Sequence, residues 1–595
     1  MRTRLTRSAA TTFLLTGVAA TAFLVGPAMA ASIFPVDRAD ILSGSRFDFK
    51  VEFNGVVNPD DVKVTVNGED FTNVLGKGDF VAKEDGVDAS AIIVRDVSLL
   101  RPGLYVVEAA EGDHKATVTW NVYQTSGTRH AKNVILFIAD GLSIAHRTAA
   151  RIMSKGIAEG KYKGVLAMDD MPHMGLIGTS GVDSIITDSA NSASAYNTGH
   201  KSSVNALGVY ADRTPDTLDD PKQETLAELV KRRLGMAVGV VSDAELEDAT
   251  PAAVVAHTRR RAEKAQIAEM FYDLQPEVML GGGSAYFLPQ STPGSKRKDE
   301  KNLVDMFQQQ GFRLATSGQE MTAAVNDPAT TRLLGLFHTG NMDGALDRLF
   351  LRPNYVEKFP DQPDLTEMTD AAIKVLSRNP NGFFLAVEAA LVDKYSHPLD
   401  WERAVFDTIM FDQAVAIAKR FAEQRGDTLV IVTGDHTHGL AIVGTIDDDK
   451  PGEEMRDKVG IYADAGYPAY EDADGDGYPD RVDVVKRLAV FFNNYPDHYE
   501  TWRPKLDGTF APAIQNENRQ YVANEAYKDI PGATFVPGNL PRDADTGVHT
   551  ADDLVVTAMG PGSDMIRGFM DNTETFRVMV EALGINGGPR TASAD

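Results

Sequence analysis

The chain has 595 residues, 43% of them hydrophobic and 24% charged, with a formal net charge of −26 and no cysteine. That length exceeds one ordinary core and predicts two or three folded units. The acidic balance argues against nucleic-acid backbone or an anionic membrane surface as a partner, and without cysteine neither a disulfide nor a thiol-attached lipid can form.

Residues 1–30 read as a signal peptide. Arg2, Arg4 and Arg7 make a basic start, residues 12–25 an apolar stretch, and Ala28-Met29-Ala30 a small-residue cleavage site. The expected fate is periplasmic or secreted, with cleavage after Ala30 and no membrane span left behind. Residues 31–125 carry short β-rich runs, such as RFDFKVEF at 46–53, with Asn, Gly, Asp and Pro between them. They predict a small all-β sandwich of immunoglobulin-like type. No catalytic constellation lies there. The unit reads as a packing or spacer domain, or alternatively as a module that binds a surface, a polymer or a second subunit.

Residues 126–586 predict a larger α/β unit. Four continuous apolar runs read as strands buried on both faces: VILFIA (134–139), AVGVV (237–241), FFLAV (383–387) and TLVIVT (428–433). Each delivers oxygen or nitrogen ligands at its carboxyl end. These are Asp140 after the first, Asp243, Asp248 and Thr250 after the second, Glu388 after the third, and Asp435-His436 after the fourth. Open α/β sheets place their ligand sites there. Ser189, in TDSANSASAYNTG from 187, opens a run of small residues that predicts a helix packed closely on a sheet. A hydroxyl at a helix N-terminus can hold a phosphate, and a bound divalent cation can lower its pKa. Asp393 and His397 are four apart and share one face of a helical turn. His549 stands in GVHT. Carboxylate with imidazole suits zinc, whereas all-oxygen sets suit magnesium.

Residues from about 440 to 540 predict an inserted element. Asp472, Asp474, Asp476, Tyr478, Asp480 and Asp483 occupy ligand positions of a calcium loop, with Gly477 at its sharp turn. The last position carries Asp where Glu is usual, and the flanks do not form a clear helix pair. A calcium ion that supports folding rather than catalysis is the expectation. Phe491, Phe492, Tyr495, Tyr499 and Trp502 follow, as the insert's own core or as a wall beside the site; the core is the expected reading. Residues 587–595 predict a flexible tail.

The ordered blocks carry a resemblance. FIADG (137–141), TDSANSASAYNTGHKS (187–202), SDAELEDATPAAVVAHTRRR (242–261), GFFLAVEAALVDKYSH (382–397), LVIVTGDHTHG (429–439) and DTGVHT (545–550) resemble the bacterial branch of the metal-dependent alkaline phosphatases. The resemblance runs from about residue 130 onward and lapses across the insert. It implies a three-layer α/β/α sandwich around a central, mostly parallel sheet. It implies hydrolysis of small phosphate monoesters through a phosphoserine on Ser189, with two zinc ions and one magnesium. By the same resemblance, Asp393, His397 and His549 hold the first zinc, and Asp140, Asp435 and His436 the second. Asp140, Thr250 and Glu388 hold the magnesium, with Asp248 acting through water. Arg261 clamps phosphate, with Arg260 as the neighbouring register, and Lys394 touches phosphate through water. Members of the family are often homodimers. The alternatives are a relative acting on phosphodiesters or sulfate esters, and a non-catalytic exported binding protein with structural metals.

Overall fold

The computed structural model describes residues 31–350, 359–506, 508 and 510–586. The expected signal peptide and tail lie outside the described residues.

A ten-stranded sheet organises the larger unit. Its strands in chain order are β1 (Asn133–Ala139), β2 (His173–Gly178), β3 (Ala237–Glu245), β4 (Val278–Gly282), β5 (Arg313–Ala315), β6 (Leu333–Leu336), β7 (Phe383–Ala389), β8 (Thr428–Gly434), β9 (Leu554–Met559) and β10 (Gly568–Asp571). In space they run β5-β6-β4-β3-β7-β1-β8-β9-β2-β10. All neighbours are parallel except β9, which is antiparallel to both β8 and β2. The apolar runs form the centre because each side chain finds a covered face. Ile135 and Phe137 of β1 enter one core layer, Val134 and Leu136 the other.

The covering helices are α1 (Ile144–Lys155), α2 (Ser189–Thr198), α3 (Leu226–Leu234), α4 (Lys264–Leu274), α5 (Leu365–Leu376), α6 (Trp401–Arg425) and α7 (Glu574–Ala582). Helices α1, α5 and α6 pack on one face, and α2, α3, α4 and α7 on the other. The result is the expected three-layer α/β/α architecture. No helix among the described residues is long and apolar enough to cross a membrane.

Register positions the site. Ala139 of β1 pairs with Ala389 of β7 and with Gly434 of β8. The three strands therefore end level, and the polar residues at their carboxyl ends emerge side by side.

Residues 31–125 form two small sheets, one of four strands and one of five. Their shared core holds Phe47, Phe49, Phe53, Val107 and Trp120. Trp120 is fully buried. It lies edge-on to Phe47 and Phe49 and donates its indole N–H to the Pro35 carbonyl at 2.9 Å. The insert builds a three-stranded sheet from Leu440–Asp447, Val459–Gly460 and Lys486–Phe492. Phe491 and Trp502 pack on Ile446, Met455 and Ala489 as a minor core. Phe492 leans on the main core, and Tyr499 lies against Phe535. A cavity of about 370 Å³ lies between these rings and Trp401.

Candidate active site

Ser189 is the first residue of α2. Asp188 caps that helix, accepting from the Asn191 N–H at 3.1 Å, and the Asn191 side chain accepts in turn from the Asp188 N–H. This reciprocal cap fixes the entry to the helix. Small side chains let α2 lie close to the sheet: Ser192 donates to the Asp435 carbonyl at 2.6 Å, and Tyr196 to the Gly434 carbonyl at 2.7 Å. Ser189 is only 2% exposed. Its Oγ donates to Asp140 Oδ2 at 3.2 Å and lies 3.4 Å from His436 Nε2.

Two clusters of metal-ligand type lie at this end of the sheet. Asp140, Asp435 and His436 form one, all buried; Asp393, His397, His438 and His549 form the other. Within each cluster, one ligand atom per residue lies within 4.8 Å of the rest. Hydrogen bonds set the imidazole tautomers in the second cluster. His397 Nδ1 is 2.7 Å from the Gly547 carbonyl, and His549 Nδ1 is 2.9 Å from the Thr187 carbonyl. A carbonyl only accepts, so each Nδ1 carries the proton and each Nε2 offers its lone pair inward. Those two Nε2 atoms lie 3.2 Å apart and 3.3–3.4 Å from Asp393 Oδ1. Imidazole nitrogens gathered round a carboxylate at such distances are a donor set that could hold a cation.

The first cluster makes the same point through unpaired atoms. Asp435 Oδ2, His436 Nδ1 and Thr250 Oγ1 are buried without a hydrogen-bond partner, while Asp140 Oδ1 meets His436 Nε2 at 3.0 Å. Buried polar atoms are rarely left so, and a bound cation would satisfy the oxygens. Burial, then the charge of Asp140, push the Glu388 and Asp435 carboxyls well above the usual range. Glu388 accepts a hydrogen bond from the Ser242 hydroxyl.

Asp248 organises the cationic side of the site. Arg261 reaches Asp188 at 3.1 Å and Asp248 at 2.9 Å. Lys394 lies 3.2 Å from Asp248 and 3.5 Å from Asp393. Arg260, the neighbouring register, is exposed. The fold adds two contributors. His438 sits 2.6 Å, through Nε2, from Asp393 Oδ1, and Asp188 braces Arg261. The signal for His438 is its place in the LVIVTGDHTHG block, two residues after His436.

The calcium-loop residues divide. Asp472, Asp474 and Asp480 gather their carboxylates into one group. The Gly475 and Gly477 N–H groups donate to Asp472 at 2.8 and 3.1 Å, and Ala473 N–H to Asp480 at 3.1 Å. Asp476 accepts from the Tyr478 N–H at 2.8 Å. The Tyr478 ring stacks on Phe406. Asp483 turns to Arg503 at 3.2 Å.

Comparison with known proteins agrees with this geometry. A family model described as alkaline phosphatase matches residues 131–585. The alkaline phosphatase of Escherichia coli (strain K12) is 35% identical over 490 residues, which span 76% of this chain and 86% of that protein. Alkaline phosphatase H of Pseudomonas aeruginosa is 35% identical over 55% of this chain and 73% of its own length. Among solved structures, the alkaline phosphatase of Thermus thermophilus superposes with a TM-score of 0.53 at 24% identity, covering 77% of this chain and 93% of that one. The enzyme of the Antarctic bacterium TAB5 gives 0.51 at 23%, covering 77% and 99%. These two similarities speak to the fold.

Proposed function

The chain belongs to the alkaline phosphatase family, enzymes that hydrolyse phosphate monoesters, and from that premise we propose that it acts through a phosphoserine formed on Ser189. The observation that carries this reading is the buried serine at the start of α2, which is in contact with Asp140 and His436 of one candidate metal group and whose neighbour Asp188 braces Arg261 together with Asp248.

Asp393, His397 and His549 would hold one zinc, and Asp140, Asp435 and His436 a second. Asp140, Thr250 and Glu388 would hold magnesium, with Asp248 acting through water. The unpaired buried oxygens of Asp435 and Thr250 fit that set. Bound there, the cations would offset the charge of the ester and lower the pKa of the serine hydroxyl and of water.

The chain's own groups then divide the work. Ser189 Oγ attacks phosphorus, a P–Oγ bond forms, and the ester P–O bond breaks to release the alcohol. Water attacks next, the P–Oγ bond breaks, and inorganic phosphate leaves with Ser189 restored. The Arg261 fork binds two phosphate oxygens. A diester lacks one of those charged oxygens, so the fork favours monoesters. Lys394 adds a point charge at the same end. His438 holds Asp393 in orientation. Substrate burial at such a site lets these charges act at low dielectric, where they count most.

We further propose export with cleavage after Ala30, and calcium in the 472–480 loop as a support for the insert. The test of function is phosphate release from p-nitrophenyl phosphate at alkaline pH, with zinc and magnesium supplied, for the wild type and Ser189→Ala. Strong turnover that collapses in the variant, with phosphate found on Ser189 by mass spectrometry of the wild type, is the expected result. Turnover that survives Ser189→Ala would sink the reading.

A further inference from the structure

Residues 31–125 lie outside the family match, yet they grip the catalytic unit firmly. Lys50, on the strand Phe47–Phe53, is 1% exposed. Its ammonium meets Asp212 and Glu84 at 2.6 Å each and Glu52 at 3.1 Å. Asp212 belongs to the catalytic unit, in the connection between α2 and α3. Arg95 donates to Asp48 at 2.8 Å and to the Asp219 and Asp220 carbonyls at 2.6 and 3.3 Å. Arg213 reaches back to Glu84 at 2.7 Å, to the Ser90 carbonyl at 2.9 Å and to the Phe53 carbonyl. Backbone bonds add to this. Asp48 N–H donates to the Lys222 carbonyl at 2.8 Å, and Glu224 N–H to the Arg46 carbonyl at 2.9 Å. Residues 212–224 are thus held along an edge of the small domain.

The same segment holds the loop that carries Arg261. Leu207 and Thr258 exchange two backbone hydrogen bonds at 2.7 and 3.0 Å, and Arg261 N–H donates to the Asn205 carbonyl at 2.8 Å. The Thr258 hydroxyl donates to the Thr217 carbonyl at 2.7 Å, and the Arg259 guanidinium to the Asp212 carbonyl at 2.8 Å. Asn205 N–H donates to Asp188, the carboxylate that braces Arg261. Residues 205–224 therefore touch the Lys50 charge cluster at one end and the backbone of Arg261 at the other.

We infer that the N-terminal β sandwich is a positioning element for the phosphate clamp, acting through residues 205–224, with Lys50 as its central positioning residue. This rests on the proposal that Arg261 binds phosphate. The physical basis is charge. Lys50 is the cation shared by three buried carboxylates, and without it their mutual repulsion falls on the segment that supports Arg261. Arg261 forms two parallel hydrogen bonds only within a narrow geometry, so a small shift of its backbone weakens phosphate more than it weakens the chemistry at Ser189.

The test is a coupling measurement on the full metal-loaded enzyme. Lys50→Met and the gentler Arg95→Gln are made alone and with Arg261→Ala. Inhibition by inorganic phosphate, kcat and KM for p-nitrophenyl phosphate, and metal content are measured for each. The expected result is a rise of about 3- to 30-fold in the phosphate inhibition constant for Lys50→Met, with a smaller rise for Arg95→Gln and metal content unchanged. On the Arg261→Ala background the same substitutions add little, because the group they position is gone. Equal effects on both backgrounds, or no effect from either substitution, would overturn the inference. Should Lys50→Met fail to fold, Arg95→Gln decides the matter by the same comparison. A phosphate constant insensitive to Arg261→Ala itself would instead overturn the clamp reading beneath it, and Ser189→Ala tests the nucleophile separately.

Discussion

Asp220 offers a stability test of the domain junction with a definite pH sign. Its carboxyl is 1% exposed. Oδ1 accepts the Asp212 N–H at 2.9 Å, while Oδ2 has no hydrogen-bond partner. Burial, and secondarily the charges of Asp212 and Asp219, push its pKa up to about 7 against the opposing pull of the Asp212 N–H and of Arg259. In the unfolded chain an aspartate titrates near ~3.9. The folded state therefore keeps a proton that the unfolded state releases between about pH 4 and 7. Below that window Asp220 costs the fold nothing. The cost grows through the window and is complete above it. Three units at ~1.36 kcal/mol each set a ceiling of about 4 kcal/mol. Asp220→Asn keeps the acceptor for Asp212 N–H and removes the charge. It should stabilise the protein by up to about 4 kcal/mol at pH 8 and by under half of that at pH 5. Urea unfolding of both proteins at pH 5, 6, 7 and 8, with zinc and magnesium present, measures this. Any loss of metal at low pH affects both proteins and cancels in the difference. A gain that is constant across the range, or one that shrinks as pH rises, would refute the reasoning.

Other outcomes follow from single contacts. His438→Ala removes the 2.6 Å partner of Asp393 and should weaken zinc binding by about 10- to 100-fold, read by competition with a chromophoric chelator. Trp120→Ala empties the centre of the small sandwich and should cost about 3–5 kcal/mol there, seen as early loss of amide-exchange protection confined to residues 31–125. Calcium withdrawal, with zinc and magnesium kept in place, should lower the melting temperature in the wild type and do nothing in Asp472→Ala. Met174, Leu176 and Phe569 stand exposed on one face of β2 and β10 at the sheet edge, a patch of the kind that marks interfaces. If the chain is a homodimer through that face, Phe569→Lys should halve its sedimenting mass.

The centre of the sheet was legible in the sequence because strands covered on both sides need unbroken apolar runs, and β1, β3, β7 and β8 have them. The level ends that bring Asp140, Glu388 and Asp435 together follow from parallel register, which the pattern implied without stating. The outer strands β2 and β10 stayed hidden. They expose Met174, Leu176 and Phe569 and carry no long apolar run. Asp188 could be read as part of a motif, but not as the brace for Arg261, because 73 residues separate them and only the fold closes that gap.

The strand Phe47–Phe53 shows where pattern alone misleads. Its alternation puts Phe47, Phe49, Val51 and Phe53 on one face and Asp48, Lys50 and Glu52 on the other, the signature of a half-buried edge. In the structure all seven positions are buried. The polar face is covered by residues 212–224, and its charges are not solvated but answered, Lys50 by Asp212 and Glu84, and Asp48 by Arg95. A buried ion network is poor evidence of stability, since desolvating its members offsets most of the attraction between them. Its stronger effect is on specificity of docking: a shifted or tilted sandwich would leave Glu52, Glu84 and Asp212 without their shared cation. The polar face thus fixes one orientation of the small domain on the segment that carries Arg261 in place.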